Sequence, residues 1–554
     1  MSNKTNNKRF LVTYADQEIS KAAAVKLLKV NQSNVKEGVS FMSAEREALK
    51  DNVLHFDNLG ISLLELTSED AKKLATQKGV LAVEEDVEMF ALDMELERYD
   101  YDYEPEVYIN QEEMAKLEET VMTREGARVK SDFCEKEAFT ETIEPFKSPN
   151  EEDTIMGDKT VSKEESKPFS FERFAGQSNL VADKPLEAEK QAQMQEGGFA
   201  DGYKKAMVDM FSSMLDANLK KESSESCDVA AASAGAPDSA MAINASYIPW
   251  NIRMVKAPEA WARGYDGWGV KVAVLDTGID YNHPDLYVSG GIDFTGSKEV
   301  CMDYYGHGTH CAGIIAAREF RGQIVGVAPR AKLYAVKVLG DNGKGKVSRI
   351  IAGMDWCVRE KMQVASMSLG GKNAPRFAYR RAVSRCHRNG VLVVASAGNS
   401  GDSKKFRWVG SPANSAKRGW WSTSPIAVGA VDSNNNLAKF SSRGRRSLPW
   451  NPVGCVAPGV DVRSTYLNNG YAYMDGTSMA CPHVAGLAAL LWERWGTGTG
   501  VYWIKKQLLL GTYYSHPYTG NEERGFGLIN CDNVVSTYYL DYKSDYYKRW
   551  YLFR

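Results

Sequence analysis

Three residues whose side chains can together activate a serine hydroxyl lie far apart in the chain, each close to glycine. Asp276 lies in VLDTGID, His307 in YGHGTHCAG and Ser478 in DGTSMACPHVAGLAALLW. A histidine can take the proton of a serine while an aspartate holds the imidazole in the required tautomer. The chain order Asp, His, Ser is one of the orders known for serine hydrolases. The three residues therefore predict nucleophilic attack on an acyl group.

Each of these residues also has a structural interpretation when it is taken alone. Asp276 is a carboxylate at the end of an apolar strand, and His307 between two glycines could be a capping residue. Ser478 precedes an apolar helix, whose N-terminus would lend positive potential to an oxyanion forming beside the serine. The combination of the three, and not any one of them, indicates a hydrolase.

Apolar strands that alternate with helices from Val270 onward are the elements that must position these residues. Continuous apolar runs of this kind are typical of a parallel sheet covered by helices on both faces. Chemistry in such α/β folds gathers at the carboxyl ends of the strands, which is where the candidate residues fall. The predicted strands are VKVAVLD (270–276), KLYAVKVL (332–339), QVASMSLGG (363–371), GVLVVASAGN (390–399) and PIAVGAVD (425–432).

Further motifs in the same half of the chain point to one family. They are VAVLDTGIDYNHPDL, HGTHCAGIIAA, GVAPRAKLYAVKVL, SMSLGG, ASAGNSG, IAVGAVD and GTSMACPHVAGLAALL, followed by GFGLIN (525–530). On these motifs, residues 246–537 resemble the catalytic domain of subtilisin-like serine peptidases. The resemblance implies a serine endopeptidase of α/β fold, which would act on protein or peptide substrates.

The resemblance also assigns roles to individual residues. Asp276, His307 and Ser478 match the catalytic triad, and Asn399 matches the side-chain donor to the oxyanion, beside the backbone N–H of Ser478. A strand edge that pairs with an extended peptide is matched by Ser368, Leu369, Gly370 and Gly371. Gly398 and Gly410 match walls of the pocket for the residue before the scissile bond. Small walls and the absence of an acid there favour a large apolar residue in the substrate.

Residues 1–92 are predicted to form a small α+β module of βαββαβ order. This module resembles the inhibitory propeptide of the same family, which implies a folding aid whose tail lies in the active site. Matching VEEDVEMFAL to that tail places a self-cleavage point after Leu92, and the Ala-rich linker at 228–245 is the alternative processing region. The predicted strands are 9–15, 53–60, 61–67 and 80–89, and the predicted helices are 20–29 and 68–77.

The net charge of -3 hides a strong partition along the 554 residues. Residues 1–92 carry a net charge of -2, residues 93–245 carry -18 and residues 246–554 carry +17. The middle segment is polar and acidic with scattered proline, so we interpret it as an insertion and linker with partial disorder. Opposite charges on one chain attract, so the insertion is expected to act with the propeptide as an intramolecular inhibitor. Residues 538–554 form an aromatic and basic tail.

A metal site is not expected to be required. Asp285, in HPDL, matches a carboxylate ligand of the calcium site of the family. The partner loop REFRGQI (318–324), however, places Phe320 and Arg321 where oxygen donors are expected. Cationic arginines beside a divalent cation are unfavourable, so the balance is against calcium there.

Composition excludes several other classes of protein. The start of the chain carries no apolar stretch like that of a secretory signal, and no apolar run reaches the length that spans a bilayer. The sequence thus predicts a cytoplasmic protein with no membrane span, and secretion is the alternative if the sequence omits its signal. Its nine cysteines are irregularly spaced, which favours thiols in a reducing compartment. A nucleic-acid-binding role for the arginine-rich run 376–389 is disfavoured, because the acidic insertion opposes it and no recognition motif is present.

Overall fold

The computed structural model divides the chain into two compact units, Met1–Leu117 with Met207–Arg554, and Glu118–Ala206. The second unit and the predicted tail 538–554 lie outside the described residues. No helix in the described part of the chain combines the length and apolar character that a bilayer crossing requires. The structure describes residues 7–16, 19–28, 35–37, 53–92, 105–116, 226–227, 248–320, 323–371, 376–403, 407–416, 423–444, 453–515 and 523–536.

The N-terminal module is a sheet with helices on one face. Residues along β1 alternate between the two faces: Phe10 and Val12 pack with the module's own helices, whereas Leu11 joins a core shared with the larger domain. The elements are β1 (Lys8–Tyr14), α1 (Lys21–Leu28), β2 (Val35–Glu37), β3 (Val53–Phe56), β4 (Ile61–Leu66), α2 (Ser68–Ala75), β5 (Val80–Glu85), β6 (Glu88–Ala91) and β7 (Val107–Ile109). Six of these strands form the sheet, in the order β2-β3-β4-β1-β5-β7.

Three strands of this module were not predicted as separate elements. The predicted strand 80–89 is divided in two, because β6 leaves the sheet and pairs with strands of the larger domain. β2 lies at one edge of the sheet, and β7 lies at the other edge although its residues come after Leu92. The N-terminal sheet therefore continues beyond the predicted boundary.

The larger domain is built on parallel strands. The strands of its central sheet are β8 (Ser226–Cys227), β9 (Lys271–Asp276), β10 (Val288–Asp293), β11 (Lys332–Lys337), β13 (Val364–Met367), β15 (Leu392–Ser396), β16 (Ile426–Val431) and β17 (Cys455–Pro458). Their order is β17-β16-β15-β13-β9-β11-β10-β8, and every pair is parallel except that of β8 with β10. The predicted parallel α/β sheet is confirmed.

Helices cover both faces of this sheet, as its apolar strands require. Val272 and Val274 of β9 face one core, and Ala273 and Leu275 face the other. The remaining strands are β12 (Lys344–Lys346), β14 (Leu369–Gly370), β18 (Val462–Tyr466) and β19 (Gly470–Met474). The helices are α3 (Trp250–Met254), α4 (Ala257–Ala262), α5 (His307–Ala316), α6 (Val347–Arg359), α7 (Arg376–Arg388), α8 (Thr477–Trp495), α9 (Val501–Ser515) and α10 (Cys531–Ser536).

Candidate active site

Asp276 and His307 form a buried hydrogen-bonded pair at the carboxyl end of β9. The Nδ1 of His307 lies 2.7 Å from Oδ1 of Asp276, and both side chains are fully buried. Because a carboxylate only accepts, Nδ1 carries the proton and Nε2 is left as the basic nitrogen. The N–H of Thr277 also donates to Oδ1 at 2.8 Å, which fixes the carboxylate.

A glycine lets helix α5 approach this strand end closely. A Cβ on Gly308 would lie 2.1 Å from the Gly278 carbonyl oxygen and 3.1 Å from the Asp276 Cβ. The N–H of Gly308 donates instead to Oγ1 of Thr277 at 3.0 Å. Any side chain at position 308 would therefore push His307 away from its carboxylate.

Ser478 lies in the first turn of α8, beside the carbonyl group of Leu92. Its hydroxyl is 2.8 Å from the Leu92 carbonyl oxygen and 3.2 Å from that of Ser368. Helix α5 packs on α8, and one turn after His307 the thiol of Cys311 lies 3.6 Å from the Ser478 carbonyl oxygen. The structure thus brings the serine to the same cluster as the Asp–His pair.

Asn399 holds the other side of the same carbonyl group. Its Nδ2 donates to the Leu92 oxygen at 2.9 Å. Its Oδ1 accepts from the N–H and from the Oγ1 of Thr477, at 2.8 and 2.9 Å, so the amide orientation is fixed by α8 itself. An amide donor and a serine hydroxyl therefore converge on one carbonyl oxygen.

Strand β6 lies in the cleft between two strands of the larger domain. It pairs antiparallel with β14, where Leu369 is opposite Ala91, and with β12, where Lys344 is opposite Phe90. The N–H of Leu92 continues the first ladder to the Ser368 carbonyl at 3.4 Å. The predicted strand edge at residues 368–371 does receive an extended chain. The second strand of the cleft, β12, was not predicted.

The side chain of Leu92 is buried against a glycine of β14. A Cβ on Gly370 would lie 2.8 Å from Cδ1 of Leu92, so only glycine leaves room for this side chain. Gly398 adopts φ 105° and borders Gly410, whose N–H donates to the Ala397 carbonyl at 3.0 Å. On Gly371 a Cβ would meet the sulfur of Met89 at 2.8 Å. Of the glycines singled out in the sequence, Gly370 and Gly371 contact the segment that occupies the groove, and Gly410 lies beside Gly371.

The first turn of α7 is capped by a carboxylate from the N-terminal module. Glu84 is buried and accepts from the backbone N–H groups of Arg376, Phe377 and Ala378 at 2.7 to 3.0 Å. Burial raises the pKa of Glu84, although these three donors oppose the rise. A carboxylate at a helix N-terminus satisfies donors that would otherwise lack partners. The module is therefore docked through a specific polar contact as well as through apolar packing.

Other arginines of α7 also contact the N-terminal module. Arg381 donates to the carbonyl groups of Tyr14 and Asp16, the second at 2.8 Å, and Arg385 donates to the Asn58 carbonyl at 2.9 Å. This helix lies within the arginine-rich run 376–389 of the sequence. Among the described residues, these two arginines bind the N-terminal module, which presents backbone carbonyl oxygens at the end of β1 and in the turn between β3 and β4.

Two further polar pairs join the module to α6. Asp86 accepts from the N–H and the hydroxyl of Ser348 at 2.9 and 2.7 Å. Asp355 accepts from the backbone and side-chain amides of Asn58 at 3.1 and 3.2 Å. Burial raises the pKa of Asp355 to about 6. The sequence alone does not indicate these contacts, because the two residues of each pair are more than 260 positions apart.

The carboxylate of Asp285 accepts a hydrogen bond from a tyrosine of the chain. It is fully buried, and its Oδ2 accepts from the hydroxyl of Tyr471 at 2.5 Å. The nearby Gln323 has both its oxygens occupied by the guanidinium of Arg463, at 2.9 and 3.1 Å. That guanidinium also lies 4.7 Å from the ring centre of Tyr471. Calcium takes six to eight oxygen ligands. The oxygens named here already accept hydrogen bonds from the chain, and Arg321 of the predicted partner loop lies outside the described residues.

A second potential metal cluster coincides with the Asp–His pair. Ligand atoms of Asp276, His307 and Cys311 lie within 4.8 Å of one another. Burial raises the pKa of the Cys311 thiol well above its ordinary value, so it is a protonated thiol and a poor ligand. The cluster therefore belongs to the serine site. Among the described residues, the cysteines present as buried thiols are Cys301, Cys311, Cys357, Cys386, Cys455, Cys481 and Cys531.

An extended segment whose last carbonyl lies between a serine hydroxyl and an amide donor is bound as a peptidase binds a peptide. Parallel α/β architecture with these groups at its carboxyl edge therefore defines a serine peptidase.

Comparison with known proteins gives the same answer. The Subtilase family profile matches residues 267–527. Subtilisin DY of Bacillus licheniformis is 44% identical over 253 residues, covering 46% of this chain and 87% of that protein. Subtilisin BL of Lederbergia lenta is 47% identical over 250 residues, covering 45% and 86%. Subtilisin E of Bacillus subtilis (strain 168) is 42% identical over 288 residues, covering 52% and 71%. The chain belongs to the subtilase family and is a subtilisin-like serine endopeptidase.

Proposed function

We propose that the chain is a self-processing endopeptidase in which Ser478 is the nucleophile, His307 the general base and Asp276 the group that orients His307. One observation carries the proposal: the Leu92 carbonyl oxygen lies 2.8 Å from the Ser478 hydroxyl and 2.9 Å from Nδ2 of Asn399. A substrate carbonyl in that position meets its nucleophile and its oxyanion donor together.

The reaction follows from these positions. Nε2 of His307 takes the proton of Ser478 as its Oγ bonds to the peptide carbon, and Nδ2 of Asn399 stabilises the oxyanion. His307 then gives the proton to the leaving amine as the C–N bond breaks. Water, activated by the same histidine, hydrolyses the resulting ester and restores the serine. The buried carboxylate of Asp276 stabilises the imidazolium that forms in each half of the reaction.

We infer that residues 1–92 keep the enzyme in a latent form until the chain cuts itself after Leu92. The residues Asp276, His307 and Ser478 are all fully buried while β6 lies in the cleft. A substrate cannot reach them, because β6 pairs with both strands that border the cleft, β12 and β14, and Leu92 fills the pocket. The tail has the position of the product on the amino side of the cut.

The pocket supports a preference for large apolar residues before the scissile bond. Leu92 is 4% exposed there, with Gly370 against its side chain. A charged side chain in this pocket would lose its hydration without gaining an opposite charge.

The first prediction is a pattern of hydrolysis and of covalent labelling. We compare peptides that differ only in the residue before the cut. Those with leucine or phenylalanine at this position should be hydrolysed at least about tenfold faster than those with aspartate or lysine. The reason is that a mismatch of one buried methylene group already changes rates by about 10- to 200-fold. A serine-directed phosphonylating reagent should attach to Ser478 and stop all of these reactions. Peptide mapping by mass spectrometry and a fluorogenic assay provide the measurements.

Two results would count against the proposal. Hydrolysis that continues when Ser478 is fully phosphonylated would exclude it as the nucleophile. Equal rates across the peptide panel would leave the endopeptidase assignment intact but would refute the preference of the pocket.

A second prediction concerns calcium, which is common in this family. Because Tyr471 and Arg463 already engage the oxygens of Asp285 and Gln323, this site should be indifferent to calcium. Thermal unfolding of the full chain should have the same midpoint in calcium and in a chelator. The measurement is made on Ser478→Ala to prevent self-digestion.

Calcium bound at 100 times its dissociation constant would stabilise the fold by about 2.7 kcal/mol, which is several degrees in the unfolding midpoint. A rise of that size that depends on Asp285 would show that the site does bind calcium. Arg463→Gln provides the matched comparison, because it removes the guanidinium and should lower the midpoint in both solutions.

A further inference from the structure

Strand β7 covers the outer edge of the N-terminal sheet, and its residues come from the far side of the proposed cut after Leu92. It pairs antiparallel with β5. At one end the Glu85 N–H donates to the Glu106 carbonyl at 2.9 Å, and at the other the Asn110 N–H donates to the Leu81 carbonyl at 3.0 Å. Without β7, β5 would be an unpaired apolar edge strand, which is a ready site for strand addition.

The local sequence explains why this segment forms a strand. VYI combines β-branched and aromatic residues, and Pro105 before it favours extended backbone. The ring of Tyr108 packs against the core of the module. Asn110 ends the strand, since its side chain accepts from the Glu113 N–H at 3.2 Å and donates to the Gln77 carbonyl at 3.1 Å. A helical stretch, 111–116, follows.

A charged contact adds to the strand pairing. The carboxylate of Glu106 accepts from Nζ of Lys8 at 2.9 Å, from the hydroxyl of Ser68 at 2.8 Å and from the hydroxyl of Tyr108 at 2.9 Å. Lys8 and Ser68 belong to the module, whereas Glu106 and Tyr108 lie beyond Leu92. The hydrogen bond from Lys8 is the main cause that holds the pKa of Glu106 below its usual range.

The proposed cut after Leu92 lies between β5 and β7 in the chain. A cut after Leu92 places β5 in the fragment 1–92 and β7 in the fragment 93–554. The segment 93–104 then joins β7 to a newly formed end instead of to Leu92. Every contact described for Glu106 and Tyr108 with the module survives the cut, and each becomes a contact between two fragments.

We propose that residues 105–116 are a retention strand, which keeps the cleaved inhibitory module bound to the enzyme until a second cut falls between residue 117 and β8, a strand of the enzyme's central sheet. This inference rests on the proposed self-cleavage after Leu92, and it adds a second, separate event that activity requires. Linking the inhibitor to the enzyme through β7 makes its rebinding intramolecular, and a link of this kind can strengthen binding by about 100- to 10,000-fold. The acidic segment after residue 116 thereby becomes the part of the chain whose cleavage releases the active enzyme.

The test uses the full chain with Ser478→Ala, in which residues 95–101 are replaced by the recognition sequence of a site-specific protease. That protease then makes the first cut, so the result does not depend on self-cleavage. Size-exclusion chromatography after dilution measures how fast the N-terminal fragment leaves. Tyr108→Pro removes a backbone donor from β7. Glu106→Ala removes the charged contact and leaves the backbone unchanged, and it decides the question if the proline variant does not fold.

The matched control is Gln111→Pro, which places proline three residues later, in the first turn of the helix, where it is tolerated. We expect Tyr108→Pro to release the fragment about 10- to 100-fold faster than the parent, Glu106→Ala to release it measurably faster, and Gln111→Pro to match the parent. Equal release from all four proteins would overturn the retention strand. Faster release from both proline variants, with Glu106→Ala unchanged, would overturn it too, because the effect would then come from general disruption of the segment.

Failure of the retention strand and failure of the proposed function give different results. A chain with active Ser478 that never cuts after Leu92 refutes self-processing, and intact-mass analysis detects this directly. The rate at which the N-terminal fragment leaves the externally cut protein tests the role of β7 and does not depend on self-cleavage.

Discussion

Replacing Ser478 with alanine should abolish peptide hydrolysis and self-processing while leaving the fold intact. The expected loss of kcat is about 10⁶-fold, which is the loss known for the equivalent serine of subtilisin. The physical reason is that the hydroxyl 2.8 Å from the Leu92 carbonyl oxygen is the only nucleophile that the proposed mechanism provides. Intact-mass analysis beside the wild-type chain should show cleavage after Leu92 only in the wild type.

Ser441→Ala is a matched control for that experiment, because Ser441 is equally buried and lies outside the cleft. Its hydroxyl accepts from the Ala430 N–H at 3.0 Å, so its loss should cost about 1 kcal/mol of stability and leave hydrolysis intact. A Ser478→Ala chain that still processes itself at the wild-type rate would contradict the assignment.

The parallel sheet and its site could be predicted because their signals are local. Asp276 ends an apolar strand, and Ser478 begins an apolar helix after a glycine. Both patterns are complete within about ten residues, and in a parallel sheet the carboxyl ends of strands meet at one edge. The five predicted strands therefore appear in the structure as β9, β11, β13, β15 and β16, whereas β8, β10 and β17 were not predicted.

The docking of the N-terminal module could not be predicted from such local patterns. Glu84 is one acid in a charged run of the sequence, and only the folded chain shows that it caps α7. β12 has the sequence KGK, which has no strand propensity. It is extended because β6 pairs with it. Both features depend on contacts between residues more than 250 positions apart.

The arginine-rich run 376–389 is evident in the sequence, but its charge could not identify its partner. Arg381 and Arg385 of α7 donate to backbone carbonyls of the N-terminal module. Backbone carbonyl groups carry no net charge, so a count of charged residues does not reveal them. Similarly, no pattern in the sequence indicated that Arg463 engages Gln323. Arg321, to which the sequence had pointed, lies outside the described residues. Net charge describes attraction between segments, but hydrogen-bond geometry decides which groups meet.

Replacing Asn399 should slow peptide hydrolysis strongly with little change in KM. Its Nδ2 lies 2.9 Å from the carbonyl oxygen that would become the oxyanion. In subtilisin itself, loss of the equivalent donor costs about 100- to 1,000-fold in kcat, and we expect a loss of the same order here. The effect falls on kcat because the donor binds the developing charge more strongly than the neutral carbonyl.

Two variants separate this role from support of the helix. Asn399 also accepts from the N–H and hydroxyl of Thr477, so Asn399→Leu removes both the donor to the oxyanion and the acceptor for α8. Asn399→Asp keeps the acceptor and loses only the donor, while its charge repels the oxyanion. If Asn399 stabilises the oxyanion, kcat should fall at least as far in Asn399→Asp as in Asn399→Leu. Near-normal kcat in Asn399→Asp with a large loss in Asn399→Leu would show that the residue acts only by positioning the start of α8.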